Sequence, residues 1–205
     1  MKSEKKRLAQ SHYKHLKAIG YNVGIKARLI YCRPIDWLLK GVYWESARFE
    51  AMDVYVTQAA MALLVPFASF AHDIMGEEIG MSGSDDVKSD AITSLFSDIR
   101  EFSPEPECFL DWHRFSDSVR VLEACCYFTI LCHDERLWSD IYRRYVDAVN
   151  PSAPMVSYVE ESWNRVNYIR SLSGCIARQI EQFTAWKTQN LVNLGIDVEH
   201  KEGGR

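Results

Sequence analysis

The sequence predicts an all-α fold, a single-domain bundle of about six to eight helices wrapped around a buried helix at residues 51–75. Three observations lead there. Between Asp53 and His72 the chain carries no formally charged residue, and Val54, Val56, Met61, Leu64, Phe67 and Phe70 fall on all sides of a helical wheel. A helix apolar all round has to be buried all round. Helical spacing of apolar residues recurs through most of the remaining chain, and no stretch shows the period-two alternation with β-branched enrichment that seeds a sheet.

The uncharged run, about 18 residues, reaches the lower limit for crossing a bilayer. It contains Thr57, Gln58, Pro66, Ser69 and five alanines, and no basic cluster flanks it. Such flanks orient a spanning helix. A buried core helix kinked at Pro66 is the better account, and no membrane partner is expected.

Taken in order, Ser3 to Ile19 reads as a basic amphipathic helix with Leu8, His12, Leu16 and Ile19 on one face and Gly20 as its stop. Residues 23–33 lean weakly to helix through Ile25, Leu29 and Ile30. Pro34 suits a first helical turn. Residues 34–75 then form one long kinked helix or two abutting ones, soft at Gly41. Gly76 to Gly83, with three glycines, reads as a mobile loop.

Ser84, Asp85 and Asp86 supply cap and acidic residues for a helix whose inner face is Val87, Ala91, Leu95, Ile99 and Phe102. Phe109 to Phe115 is an aromatic connector. Helices follow at 117–133 and 135–149, the second with Leu137, Trp138, Ile141 and Tyr145 in its stripe. Asn150-Pro-Ser-Ala-Pro154 is a clear break, and 155–194 holds helical phase except at Ser173-Gly174.

The 205 residues, 25% charged and 47% hydrophobic, suit one domain over 1–196 with a polar tail at 197–205. The N-terminal Met-Lys-Ser-Glu-Lys-Lys-Arg leads into an amphipathic pattern and not an apolar secretory core, so a cytoplasmic location is expected. Six cysteines without a Cys-x-x-Cys spacing read as reduced thiols. Cys132 and His133 are adjacent, and neighbours on a helix point apart, which argues against a nucleophile and its base.

Charge is polarised along the chain. Residues 1–33 hold nine Lys or Arg against Glu4 alone, a balance of +8, so a net −4 leaves −12 for the rest. Residues 77–117 hold eleven acids against Lys88, Arg100 and Arg114. With Glu77, Glu78, Asp85, Asp86 and Asp90 as carboxylates and Trp112 as an aromatic anchor, this stretch has the composition of a surface that captures a basic protein. The expected role is a non-catalytic binding factor, an inhibitor, an immunity-type protein or a regulatory adaptor, with no cofactor.

Three other readings stay open. His72-Asp73 and His133-Asp134 are paired as metal ligands often are, and Phe-Ala-His-Asp-Ile resembles the central motif of the HD-type metal-dependent phosphohydrolases over about five residues. That resemblance implies a divalent metal held by such His-Asp pairs and a helical fold; the family's earlier His and later Asp have no clear counterpart. The bland reading places both histidines at helix C-termini, facing the negative end of the dipole. Arg7 and His12 have the Arg-x4-His spacing seen in helical ribonucleases of the HEPN type. The basic first helix also suits binding to nucleic acid.

Overall fold

The N-terminal helix forms as read. In the structure, a computed structural model describing residues 2–46, 54–67, 73–81, 89–101 and 106–197, α1 spans Lys2–Ala18. Leu8, Ala9, His12 and Leu16 are buried, while Lys6, Arg7, Lys14 and Lys17 are exposed. It ends in a Schellman motif: Gly20, at φ 94°, donates to Lys17 O at 3.1 Å and Tyr21 donates to Leu16 O at 3.0 Å.

The chain then departs from the all-helical expectation. Five strands follow, β1 (Val23–Lys26), β2 (Leu29–Cys32), β3 (Leu38–Ser46), β4 (Val54–Ala62) and β5 (Ile74–Met81), antiparallel and in chain order across one sheet. With seven helices among the described residues, the protein is mixed α/β and not a helical bundle. The segment read as the central helix supplies β4 and the start of β5 instead. Residues 23–33 form a hairpin, the described parts of 34–75 supply β3, β4 and the start of β5 in place of a kinked helix, and 76–81 continue β5 where a loop over 76–83 was expected. Pro34 follows a cis peptide bond between β2 and β3 and begins no helix.

The physical reason lies in burial. Val56 through Met61 are all buried, so β4 is covered on both faces and alternation disappears. A strand of that kind and a buried helix give the same apolar run. Ala59, Ala60 and Ala62 tilt local propensity toward helix, yet Val54, Tyr55, Val56 and Thr57 favour a strand, and pairing with β3 and β5 decides. Gly41 is needed by β3 for a different reason from helix flexibility. A Cβ there would collide with the backbone of Ile30 and Tyr31 on β2.

Contacts divide the chain into two compact units. The first holds α1, the sheet and α2 (Ser89–Glu101), with Leu194–Asp197. Its core joins Leu8 and Leu16 of α1, Leu95 and Phe96 of α2, and Val42 and Trp44 of the sheet. Gln58 Nε2 ties β4 to α2 by donating to Leu95 O at 2.9 Å.

The second unit holds α3 (Pro106–Trp112), α4 (Val119–Leu131), α5 (Glu135–Val149), α6 (Ser157–Ser171) and all but the end of α7 (Ile176–Leu194). Here α4 fills the part expected of 51–75: every residue from Val121 to Thr129 is buried. Rings of Phe109 and Phe128 pack at 4.6 Å between centroids, and those of Tyr127 and Phe183 at 5.1 Å. The segment 63–67 belongs to this unit and is held by α7. Asn190 Nδ2 donates to Leu63 O and Val65 O at 2.8 and 3.0 Å, and its Oδ1 accepts from Phe67 N at 3.2 Å. No helix among the described residues is long and apolar enough to cross a membrane.

Candidate functional site

His133 and Asp134 form the joint between α4 and α5. His133 sits at φ 57° and donates its N–H to Ile130 O at 3.1 Å, while Asp134 N donates to Thr129 O at 3.2 Å. These are the two bonds of a Schellman motif with histidine in the left-handed position usually held by glycine. Asp134 then starts the next helix, its Oδ1 accepting from Leu137 N at 2.8 Å. An N-cap of this kind satisfies one of the otherwise orphaned donors. The adjacent His-Asp pair thus closes one helix and opens the next.

Beside this joint lies an open-sided groove of about 370 Å³. It is bordered by His133, Asp134, Glu135, Trp138 and Ser139 from the α4–α5 side and by Arg170, Ser173, Ile176 and Gln179 from the α6–α7 side. Helical spacing explains the first set. Glu135 and Trp138 are three apart on α5, and Asp134 and Trp138 four apart, so they share a face. Trp138 stacks on Tyr142, one turn on, at 5.5 Å and 17°. Arg170 of α6 lies over the Tyr142 ring at 4.9 Å and donates to its hydroxyl at 3.0 Å. The result is a ladder of guanidinium, phenol and indole that fixes Trp138 at the groove's edge. Gln179, buried, donates to Ile169 O at 3.0 Å and forms part of the floor.

The residues read as a capture surface are dispersed. Glu78 is exposed on β5 and accepts from Thr57 Oγ1 at 3.2 Å. Asp90 is exposed in the first turn of α2. Glu77 lies in β5 and Trp112 ends α3, and Trp112 belongs to the other unit. Asp85 and Asp86 lie outside the described residues, as does His72. Asp98 and Glu101 continue the exposed side of α2 that Asp90 begins.

Asp73 is buried, its Oδ2 accepting from Ala62 N at 2.8 Å and its own N–H donating to Ala60 O at 3.1 Å. It closes the connection between β4 and β5. Among the described residues, no group of three or more His, Cys, Asp or Glu is gathered as metal ligands would be. His12 is buried on the inner face of α1 and stacks on Trp44 at 5.9 Å, so its ring does not face solvent beside Arg7. None of the six cysteines is in a disulfide. Burial pushes the Cys32 thiol up to about 11 and Cys126 well above its ordinary value, which removes thiolate character from both.

A hydrogen-bonded cluster of Glu123, Tyr127 and Arg165 is built into the second unit's core. Glu123, 1% exposed, accepts from Arg165 Nε and Nη2 at 2.7 and 2.9 Å and from Tyr127 Oη at 2.9 Å. Burial, then the neighbouring Glu123 charge, drives the Tyr127 phenol well above its usual range. For Arg165, burial works to lower the pKa, and the hydrogen bonds and charge of Glu123 outweigh it and raise it.

In the sequence Trp138 falls in a core stripe, and no motif singles out Glu135 or Arg170. The signal was present in Asp134-Glu-Arg-Leu-Trp138, where an N-cap and first-turn carboxylate fall within a helical turn of an aromatic. No family model matches the chain, and neither the curated proteins nor the solved structures searched include a match.

Proposed function

We propose that the protein is a non-catalytic binding factor, of the inhibitor or immunity type or a regulatory adaptor, which captures a basic protein in the cytoplasm. The observation that carries this reading is the outer side of α2. Asp90, Asp98 and Glu101 are exposed there, while Ile92, Leu95, Phe96 and Ile99 anchor the opposite side in the core. Carboxylates fixed on an anchored helix keep their positions when a partner arrives. They speed encounter with an oppositely charged surface and disfavour an acidic one. Glu78, exposed on β5 in the same unit, adds to the negative field.

Tagged wild-type protein and the variant Asp90→Lys/Asp98→Lys/Glu101→Lys, used side by side on extract from the native cell, test it. The wild type retains a basic protein whose purified complex weakens steeply with salt, and the variant loses it. Equal capture by both proteins overturns the reading.

A nucleic-acid partner is the second reading, favoured by the exposed Lys6, Arg7, Lys14 and Lys17 of α1. It requires affinity for DNA or RNA that falls linearly on a log-log plot against salt.

A further inference from the structure

We propose that the groove beside the α4–α5 joint receives an arginine side chain of the basic partner, its guanidinium lying on Trp138 and forking onto Glu135. This inference rests on the reading of a basic protein partner.

Four observations lead to it. First, the groove's own cation is already engaged: Arg170 lies over Tyr142 and donates to its hydroxyl. Second, no hydrogen bond or ion pair among the described residues engages the exposed Glu135 carboxylate, whereas Asp134 is occupied at Oδ1 by the α5 cap. The groove therefore presents negative charge that its arginine does not cancel by direct contact. Third, Trp138 is held by stacking on Tyr142 and stands three residues from Glu135 on the same helical face. An aromatic face beside a carboxylate matches a planar cation that both stacks and donates in a fork, a description that fits guanidinium and not ammonium. Fourth, about 370 Å³ lies within the usual range for ligand pockets, and an open side admits a side chain still attached to its own protein.

Each half of this chemistry occurs within this chain, the stacking in Arg170 on Tyr142 and the fork in Arg165 on Glu123. The groove offers both halves of it in one place.

The test uses the full chain and three capped tripeptides, Gly-Arg-Gly, Gly-Lys-Gly and Gly-citrulline-Gly, titrated at physiological salt. Binding is followed through the Trp138 indole N–H resonance, assigned with Trp138→Phe. The arginine peptide shifts that resonance saturably, the lysine peptide binds several-fold more weakly, and the citrulline peptide does not saturate. Glu135→Gln weakens the arginine peptide roughly tenfold, as the loss of a charge-assisted pair implies. Equal binding of arginine and citrulline peptides, no saturable shift of the indole by the arginine peptide, or an unchanged affinity in Glu135→Gln overturns the inference.

The two proposals separate cleanly. The α2 charge-reversal variant should bind the arginine peptide like the wild type, because none of its changed residues lines the groove. If that variant also captures the basic protein undiminished, the acidic-surface reading falls and the groove stands. If peptide binding fails while α2 reversal abolishes capture, the groove falls and the acidic surface stands.

Discussion

Glu123 and Arg165 meet side-on, with Nε 2.7 Å from Oε1 and Nη2 2.9 Å from Oε2, across α4 and α6. The carboxylate is 1% exposed and the guanidinium 22%. A pair of this kind is held in place by what its loss would leave behind. Arg165→Leu leaves the buried Glu123 carboxylate without its partner, and a cost of about 3 kcal/mol is expected. Replacing both partners, as in Glu123→Gln/Arg165→Leu, should recover part of that loss, since neither charge is then buried alone and the amide oxygen still accepts from Tyr127. Urea midpoints of the single and double variants at neutral pH decide the matter. A double variant no more stable than the single one would show that the pair contributes chiefly through packing.

His113 gives the second unit a sensitivity to acid. Its ring packs on Phe109 at 4.5 Å, its Nε2 lacks a protein partner, and burial lowers its pKa to about 4. Free histidine titrates near 6.5, so between about pH 6.5 and 4 the unfolded chain takes a proton that the fold refuses. Stability therefore falls as pH drops through that window, by at most about 1.4 kcal/mol per pH unit for this group. At pH above 7 the effect is absent. In paired denaturant titrations between pH 7 and 4, His113→Phe should lose less stability than the wild type. Parallel curves would refute the assignment.

Asn190 makes three hydrogen bonds to the backbone of 63–67 from a fully buried side chain on α7. That segment has no ladder of its own, and the amide takes the place of one. Asn190→Leu leaves the Leu63 and Val65 carbonyls without their donor, for an expected loss of about 3 kcal/mol. Amide hydrogen exchange at Phe67, whose N–H loses its acceptor, should quicken first. A loss below about 1 kcal/mol with unchanged exchange would show that other groups hold the segment.

How far the sequence could be read follows from where tertiary context overrides local pattern. The helix predicted at 135–149 has the observed bounds, Glu135–Val149, because Asp134 caps it and its apolar stripe alternates with an exposed polar side. α1 and the break at Asn150 were legible for similar local reasons, Asn150 taking φ 47°. The sheet was not. Val56 to Met61 lost their alternation to burial on both faces, and Gly41 looked like a weak helical residue until β2 was placed against it. The site was half visible. The sequence singled out His133 and Asp134 as possible ligands, and their backbone roles in ending one helix and capping the next appear only once both helices are in place.

Gly41 tests the register of the sheet. It pairs with Ala59 on one side and Tyr31 on the other, and a Cβ added to it would meet the Ile30 carbonyl and the Tyr31 Cα. These are backbone atoms and cannot rotate away. Gly41→Ala is expected to cost about 1–3 kcal/mol through forced separation of β2 and β3, although alanine is otherwise the better-behaved residue in most helices. A stabilising result would show that β2 and β3 do not approach as closely at Gly41 as this register requires.

His133 provides the converse case, since its left-handed backbone carries a penalty that glycine avoids. His133→Gly should leave both junction bonds intact and raise stability by up to about 1 kcal/mol, because glycine is the usual occupant of that position. His133→Val, β-branched at the same angle, should destabilise by more than glycine gains. The pair of variants separates two origins for this histidine. If it serves only the turn, glycine improves the fold and leaves the arginine-peptide affinity of the groove unchanged. If its imidazole also contacts the bound guanidinium's neighbours, glycine improves the fold and alters that affinity, and thermal melts and peptide titrations on one protein sample distinguish the outcomes.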